Sequence, residues 1–255
     1  MNLNYTTTDF LISISPRLFD FIKKIKDFGK KEKPREKFFR KSFNSIAPPI
    51  KVMQIGANDG IRSDPLREFI IDFPCKAIFI EADPVCFKEL QANYSYLQNG
   101  NLFFENLAVV PEKQQDLNFY TLSEEYRKNI PYLKQLKLVR KASTDKSKFV
   151  NYLKNIEIDN VEEAVNSHPV PSKTLSELVI EYFEPDVLVI DTEGLDWSIL
   201  DSLDFSVCSP KMIFFELGNP DKDLEKKVFK KLKLHGYAIE KQKFDIGCLK
   251  QTNMQ

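Results

Sequence analysis

Glycine and histidine are scarce in this 255-residue sequence, which has 8 and 2 of them. Each glycine therefore points to a tight turn or a close backbone approach. The four cysteines lie far apart without a C-x-x-C pair, which excludes the common zinc spacings and indicates reduced thiols in a reducing compartment. No apolar run approaches the roughly 18 residues of a membrane-spanning helix, and the N-terminus lacks a signal-peptide pattern. The default expectation is a cytoplasmic protein.

The formal net charge is zero, because 37 basic side chains balance 37 acidic ones. The overall charge therefore does not favour a nucleic-acid partner. The balance is uneven, because residues 1–47 hold 11 Lys and Arg against 5 Asp and Glu, a net charge of +6. Apolar residues recur at three- and four-residue steps from Phe10 to Ile25, and the basic run KKEKPREKFFRK follows. Residues 1–48 are therefore predicted to form a basic, amphipathic helical extension.

Two interpretations of this extension stay open. In the first interpretation, residues 10–41 attach the protein to the inner face of a membrane or to a partner protein. In the second, which is the commoner origin of such a pattern, a helix packs on the domain and the charge run is solvated.

Beyond residue 48, short apolar runs alternate with helical patterns. Strands are predicted at 52–55, 77–81, 102–105, 187–191 and 212–216, and the chain closes with an antiparallel pair. Strands that alternate with helices predict an α/β fold with a mostly parallel sheet.

A polar segment at 123–170 interrupts this alternation, after a predicted edge strand at 116–122. Its pattern predicts two helical pieces inserted into a domain that spans residues 49–255. A substrate-binding lid and a variable surface excursion are both open as roles for this insertion.

The stretch Lys51–Gly60, KVMQIGANDG, ends an apolar strand in a glycine turn. Ligands of parallel α/β sheets bind at the carboxyl ends of the strands. Three acids, Glu81, Asp191 and Glu216, fall at such ends and should converge on this turn. A carboxylate at the position of Glu81 can accept hydrogen bonds from both ribose hydroxyls of a nucleoside.

The turn also restricts which nucleoside fits. The dinucleotide pattern G-x-G-x-x-G requires glycine where Asn58 stands, and the P-loop pattern is missing from the sequence. A nucleoside without phosphates is therefore favoured, with S-adenosyl-L-methionine as the leading candidate. Its cationic sulfonium would lie favourably near carboxylates such as Asp59 and Asp191.

Six motifs occur in a characteristic order: MQIGANDG, AIFIEADP, ENLAVV, SKTLSEL, VIDTEGLDWSIL and IFFELG. With them the sequence resembles the FkbM-type family of S-adenosylmethionine-dependent methyltransferases over roughly residues 50–250. The resemblance implies a class I, Rossmann-like fold, a three-layer sandwich with a seven-stranded sheet. It also implies O-methylation, often of sugars or of natural products.

The resemblance assigns roles to residues of these motifs. Gly56, Ala57 and Asn58 would hold the methionine part of the cofactor, Glu81 its ribose, and Asp191 would lie beside the transferred methyl group. The other predicted cofactor-binding residues belong to the turn or lie near the adenosine: Asp59, Gly60, Ala82, Asp83, Asn106, Leu107 and Ala108.

A hydroxyl acceptor needs a group that takes up its proton. The candidates are Asp191, Glu193 and His168, the last because it precedes PVPSKTL in the insertion. His235 stands beside Gly236 and is predicted to lie at a helix end, in a capping role.

A divalent metal is the weaker alternative. Asp191, Glu193 and Asp196 could hold Mg²⁺ through oxygen ligands, but acids at the start of a helix are stabilised by its dipole without a metal. The usual family pattern D-x-E-G-x-E has a glutamate where this chain has the shorter Asp196. Metal dependence is therefore not favoured, and no residue is assigned as a ligand.

The predicted function is methylation of a sugar hydroxyl in a glycan, a glycosylated compound or a natural-product precursor. Two alternatives stay open: a binding module that keeps the fold without transferring methyl groups, and an O-methyltransferase of a non-sugar small molecule.

Overall fold

Strands and helices alternate through the part of the chain that the computed structural model describes, residues 5–62, 64–97, 100–113, 117–123, 125–126, 142–155, 160–192 and 194–251. The strands are β1 (Ile50–Ile55), β2 (Cys75–Ile80), β3 (Leu102–Glu105), β4 (Ala108–Val110), β5 (Leu117–Leu122), β6 (Val165–Val170), β7 (Ser172–Thr174), β8 (Val187–Ile190), β9 (Met212–Glu216), β10 (Tyr237–Lys241) and β11 (Asp245–Lys250). The α-helices are α1 (Tyr5–Ile14), α2 (Pro16–Asp27), α3 (Pro34–Asn44), α4 (Arg67–Asp72), α5 (Pro84–Tyr94), α6 (Lys146–Asn155), α7 (Val161–Ala164), α8 (Leu175–Glu181), α9 (Asp196–Ser202) and α10 (Lys222–Leu234).

Seven strands form one sheet in the order β10–β11–β9–β8–β1–β2–β3. The pairings are parallel except for those of β11 with β9 and with β10. The predicted mostly parallel, seven-stranded sheet with an antiparallel closing strand is thus confirmed. The chain runs from β1 to β2 and β3 on one side and then returns to β8 on the other. The strand order therefore reverses beside β1, where open α/β sheets bind their ligands.

The central strands end level with one another. Ile55, the last residue of β1, pairs with Ile80 of β2 and with Ile190 of β8. The next residue after each strand, in all three cases a predicted site residue, therefore leaves the sheet at the same edge.

Helices cover both faces of this sheet, so apolar side chains point alternately to either side along each strand. Met53 and Ile55 belong to a core that includes residues of α8, α9 and α10. Val52 and Phe79 belong to a second core with residues of α3, α4 and α5. The predicted three-layer sandwich is therefore present.

The insertion contains two helices, α6 and α7, as predicted, but its last six residues form a strand. Val165–Val170 pairs antiparallel with β5. Pro169 explains part of the difference, because proline lacks an N–H and interrupts a helix. Residues 127–141 and 156–159 lie outside the described residues.

The stretch SKTLSELVIEYF has a helical pattern from residue 172, which would make Ser172 the N-cap, but helix α8 begins later. Residues Ser172–Thr174 form β7, which pairs with β4. Thr174 is the cap: its Oγ1 accepts from the Glu177 N–H at 3.2 Å, and the Glu177 carboxylate accepts from the Thr174 N–H at 2.8 Å. This reciprocal capping box satisfies two N–H groups and sets the helix start.

Helix α3 lies in the basic run and packs on the sheet. Phe38, Phe39 and Phe43 are buried, and the rings of Phe39 and Phe214 are 4.8 Å apart. Gly247 of β11 faces Phe38 so closely that a Cβ atom there would lie 2.4 Å from the ring. The predicted domain boundary at residue 48 stays a prediction, but α3 shares a core with the strands that follow it.

The predicted amphipathic helix from Phe10 to Ile25 consists of two helices. Ser15 separates them, and its Oγ accepts from the Leu18 N–H, while Pro16 opens α2. Within the described residues, no helix combines the length and the apolar character needed to cross a membrane.

Buried charges attach α2 to the domain. The Arg67 guanidinium donates to both carboxylate oxygens of Asp20 on α2, at 2.8 and 2.7 Å. It also donates to the backbone carbonyls of Gly60, at 2.9 Å, and Asn93, at 3.0 Å. The Tyr96 hydroxyl donates to Asp20 as well. This Arg67 cluster connects the N-terminal helices to the end of the glycine turn.

Replacing Arg67 with methionine tests this connection. We expect the free energy of unfolding to fall by about 3–5 kcal/mol, because Asp20 and two carbonyls would lose a buried cationic donor. Urea denaturation measures the change. Lys24→Ala is the matched control, since the exposed pair of Lys24 with Asp72 is worth less than about 1 kcal/mol. Equal losses for the two variants would contradict a buried connection.

Candidate active site

The glycine turn after β1 brings the chain against the end of β8. Gly56 has φ +75°, and its N–H donates to the carbonyl of Ile80 at 2.9 Å. A Cβ atom on Gly56 would lie 1.7 Å from the backbone oxygen of Asp191. No side chain fits in that space, so glycine is required here for close approach as well as for its backbone angle.

Glu81 follows β2 and holds the turn from the other side. Its Oε2 accepts from the Asn58 N–H at 2.7 Å, and its Oε1 accepts from the Asp83 N–H at 2.7 Å. The side chain is buried but lines the crevice. Each carboxylate oxygen has a second lone pair, which leaves acceptor capacity for a ligand.

Burial raises the pKa of Glu81 from its ordinary value of 4.5 to about 7, although hydrogen bonds from Asp83 and Asn58 favour the charged form. The folded protein therefore holds a proton on Glu81 between these two pH values, where the unfolded chain does not. The stability contributed by this proton is present below the unfolded pKa and is lost as the pH rises through the folded pKa.

The raised pKa predicts a pH-dependent affinity. Ribose hydroxyls donate to a carboxylate, so binding of S-adenosylhomocysteine should be constant above about pH 7.5 and weaken by up to about tenfold per unit below pH 7. Calorimetry between about pH 5.5 and 8.5 measures this profile. Glu81→Gln should remove the slope, and an unchanged slope in that variant would assign the titration to another group.

A crevice opens at this edge of the sheet, where parallel α/β sheets bind small molecules. Its described lining includes eight of the predicted cofactor-binding residues: Gly56, Asn58, Glu81, Ala82, Asp83, Leu107, Ala108 and Asp191. Residues distant in the sequence thus meet at one cavity, with a carboxylate at its inner wall.

Four predicted cofactor-binding residues lie beside the cavity rather than in its lining. Ala57 is buried in the core beneath the turn. Gly60 has its Cα against α5, where a Cβ atom would lie 2.5 Å from the Tyr94 ring. Asn106 donates through Nδ2 to the carbonyls of Glu81, at 2.8 Å, and Ala82, at 3.1 Å. These three residues support the groups that face the cavity.

Asp59 is the fourth. Its side chain is buried and accepts from the N–H groups of Ile61, at 3.1 Å, and Arg62, at 3.0 Å. It also pairs with the Arg62 guanidinium. The carboxylate is thus engaged within the turn itself.

Asp191 follows β8 at the mouth of the cavity. Its backbone N–H donates to Ile55 at 2.9 Å, and its side chain is exposed. The neighbouring Thr192 also lines the cavity and donates through Oγ1 to Asp196 at 2.8 Å. Asp196 is buried, and by accepting this hydrogen bond its carboxylate stabilises the loop after β8. Glu193 lies outside the described residues, and its catalytic role stays a prediction.

The remaining candidates are not among the described lining residues, although His168 is the cross-strand neighbour of the lining residue Phe119. His168, on β6, pairs with Phe119 across the β5–β6 ladder, and its role as a base stays a prediction. Glu216 ends β9, one strand beyond β8. His235 is the C-cap of α10, as predicted, and its ring stacks on Phe205 at 4.3 Å.

Three lining residues were not among the predicted site residues: Phe119, Ala142 and Thr144, although the last two belong to the insertion for which a substrate-binding role was left open. Phe119 belongs to β5, and Ala142 and Thr144 flank Ser143, which forms a bridge with Tyr120. The alternating apolar pattern of β5 was the available signal, but only its pairing shows which side faces the cavity.

Within the part of the chain that the structure describes, no group of three or more His, Cys, Asp or Glu side chains is arranged to hold a metal ion. Because Glu193 lies outside that part, a role for Mg²⁺ stays a prediction that is not favoured.

The reversed strand order beside β1, the glycine turn and the buried acid after β2 together define a class I, Rossmann-like methyltransferase fold. A family model described as the methyltransferase FkbM domain matches residues 54–239. The chain therefore belongs to the FkbM methyltransferases, a family that depends on S-adenosylmethionine. The predicted family and fold are both confirmed.

Similar solved structures include a methyltransferase FkbM from Methylobacillus flagellatus KT, with a TM-score of 0.50 and 13% identity over 85% of this chain and 48% of that one. This chain thus spans about half the length of that protein. A precorrin-6y C5,15-methyltransferase from Geobacter metallireducens GS-15 has a TM-score of 0.42 and 15% identity, covering 87% and 90%. M. capricolum TrmK, solved with S-adenosyl-homocysteine, has a TM-score of 0.39 and 10% identity, covering 87% and 70%. No curated protein sequence matches this chain.

Proposed function

We propose that this protein transfers a methyl group from S-adenosylmethionine to a hydroxyl of a sugar, in a glycan or in a glycosylated or natural-product precursor. The observation that supports S-adenosylmethionine as the cofactor is that Gly56 and Glu81 line the same crevice. Glu81 offers buried acceptor oxygens suited to ribose hydroxyls, and Gly56 allows the ends of β1 and β8 to approach closely where both line the crevice.

The residues around these two fit the rest of such a cofactor. Apolar side chains line the crevice beside Glu81, among them Ile80, Cys86 and Leu107, and a flat adenine ring suits such surroundings. When bound, the cofactor supplies an electrophilic methyl group. In this proposal Asn58 and Gly56 contact its methionine part.

Other lining residues support a sugar as the methyl acceptor. Phe119 offers an aromatic surface, and Thr144, Thr192 and Asp191 offer polar groups at the mouth. An aromatic face beside hydroxyl and carboxylate groups suits a polyhydroxylated ring, whose C–H groups pack on the aromatic ring while its hydroxyls form hydrogen bonds.

Asp191 is the proposed general base, since it is an exposed carboxylate at the cavity mouth. It would accept the proton that the acceptor hydroxyl gives up. We expect Asp191→Asn to lower kcat by about 10²–10⁴-fold while the affinity for S-adenosylhomocysteine changes little. Turnover and calorimetry on the same preparation separate the two effects, and a parallel loss of binding would make Asp191 a binding residue instead.

Transfer of labelled methyl groups tests the acceptor. Purified protein is incubated with methyl-labelled cofactor and with free sugars, nucleotide-linked sugars and isolated glycans. We expect label on a sugar in a bond that survives mild alkali, as an ether does and an ester does not. Label on another class of compound would refute the sugar, and cofactor binding without any transfer would favour a binding module.

A further inference from the structure

The two N-terminal helices expose an apolar stripe. Its members follow one another at three- and four-residue steps and are 40% to 91% exposed: Phe10, Ile14, Leu18, Phe21, Ile25 and Phe28. Within each helix such steps place side chains on one face: Phe10 and Ile14 on α1, and Leu18, Phe21 and Ile25 on α2, which ends at the C-cap Phe28. The other large exposed apolar residues belong to separate elements, and exposed apolar side chains grouped in this way mark an interaction surface.

The opposite side of the same helices is fixed to the domain. Ile12 of α1 and Phe19 of α2 are buried and pack with Ile61, which follows the glycine turn. Asp20 is bound by the buried Arg67. The apolar stripe is therefore held outward on an anchored pair of helices, and the packing of α1 and α2 does not use it.

Basic residues adjoin the stripe. Arg17 and Lys24 are exposed on α2, one turn from Phe21, and Lys30 and Lys31 follow Gly29. Lys24 pairs with Asp72 and Lys30 with Asp27, both at the exposed surface. The segment 1–47 carries a net charge of +6, whereas the remainder of the chain carries −6. Apolar side chains bordered by lysine and arginine are the composition of helices that lie in an anionic membrane surface.

We propose that α1 and α2 bind the surface of an anionic lipid bilayer, with the apolar stripe inserted at the headgroup boundary and the basic residues against the lipid charges. The proposal does not depend on which acceptor the enzyme methylates.

The positive charge around the apolar stripe favours an anionic bilayer over a second copy of the chain as the partner. A two-fold dimer would place the same patch against itself, so the basic residues that border it, Arg17 and Lys31 among them, would lie near those of the other copy. Like charges across an interface are unfavourable, whereas each of them is attracted to an anionic bilayer.

Co-sedimentation of the full chain with lipid vesicles tests the proposal. Vesicles of phosphatidylglycerol and phosphatidylcholine are compared with vesicles of phosphatidylcholine alone. We expect the protein to sediment with the anionic vesicles, and less so in about 0.5 M NaCl, which screens the basic residues. Phe21→Glu/Ile25→Glu should reduce the bound fraction by about tenfold or more.

The matched control is Ile180→Glu/Leu234→Glu, which alters two apolar residues on α8 and α10 that are at least as exposed as Phe21 and Ile25. It should bind vesicles like the wild type. Arg17→Glu/Lys31→Glu leaves the stripe intact and should weaken binding to anionic vesicles only. Calorimetry with S-adenosylhomocysteine shows that each variant is folded.

Three results would overturn the proposal. In the first, the wild type stays in the supernatant with anionic vesicles. In the second, both apolar double variants lose binding equally, or neutral vesicles bind as well as anionic ones. In the third, sedimentation velocity shows a wild-type dimer that Phe21→Glu/Ile25→Glu converts to a monomer, which would assign the stripe to a second copy.

Discussion

Gly56→Ala is expected to reduce the affinity for S-adenosylhomocysteine by more than about 100-fold and to lower the free energy of unfolding by at least about 3 kcal/mol. The added methyl group would lie 1.7 Å from the Asp191 carbonyl oxygen, so β1 and β8 must separate at the crevice. The backbone angle of +75° adds strain of its own. Calorimetry, at a temperature where the variant is folded, and urea denaturation measure the two effects.

The variant Gly236→Ala is the control that distinguishes backbone strain at a positive φ from the steric effect of a close contact. Gly236 has a similar angle, φ +81°, but a Cβ atom there meets nothing within 4 Å. We expect this control to lose about 1–2 kcal/mol of stability and to bind the cofactor product normally. If Gly56→Ala behaved like Gly236→Ala, the contact between the ends of β1 and β8 would have no role in binding.

Glu81→Gln is expected to have the second large effect, a loss of about 100-fold or more in affinity for S-adenosylhomocysteine. In the wild type, each carboxylate oxygen accepts from a backbone N–H, of Asn58 and of Asp83. A glutamine must turn its NH₂ group toward one of these donors, which leaves a buried donor unpaired at a cost of about 1–3 kcal/mol. It also loses the charge that ribose hydroxyls would meet.

Glu105→Gln is the matched control, because Glu105 also ends a strand, β3, at the same edge, next to β2. Its side chain accepts from the Tyr182 hydroxyl and is outside the described cavity lining. We expect normal binding in this variant. Equal losses in both variants would show that any strand-end substitution disturbs the site, and Glu81 would have no specific role.

The positions of the main site residues were predictable because they follow from strand ends. Once β1, β2 and β8 are parallel and level, Gly56, Glu81 and Asp191 must share an edge. Short apolar runs reveal these strands without any knowledge of tertiary contacts.

Side-chain directions inside the turn were not predictable. Asn58 and Gly60 both have positive φ, of 51° and 66°, and this backbone path directs Asp59 toward the N–H groups of Ile61 and Arg62. A motif gives the order of residues but not these angles, so the motif alone does not separate the groups that face the crevice from those that support it.

The far wall of the crevice could not be predicted either, because it depends on pairing between distant segments. Phe119, Ala142 and Thr144 reach the cavity through the pairing of β5 with residue 143. The packing of α3 on the sheet was not predicted for another reason. Its three buried phenylalanines are interspersed with charged residues, so the segment has the composition of a solvated charge run.

A structure of the complex with S-adenosylhomocysteine would show whether this crevice is the cofactor site. We expect both ribose hydroxyls within hydrogen-bond distance of the Glu81 carboxylate, adenine beside Leu107, and the sulfur in the part of the crevice that Gly56 and Asp191 line. A ligand bound elsewhere, or bound in this crevice with its ribose away from Glu81, would contradict this expectation.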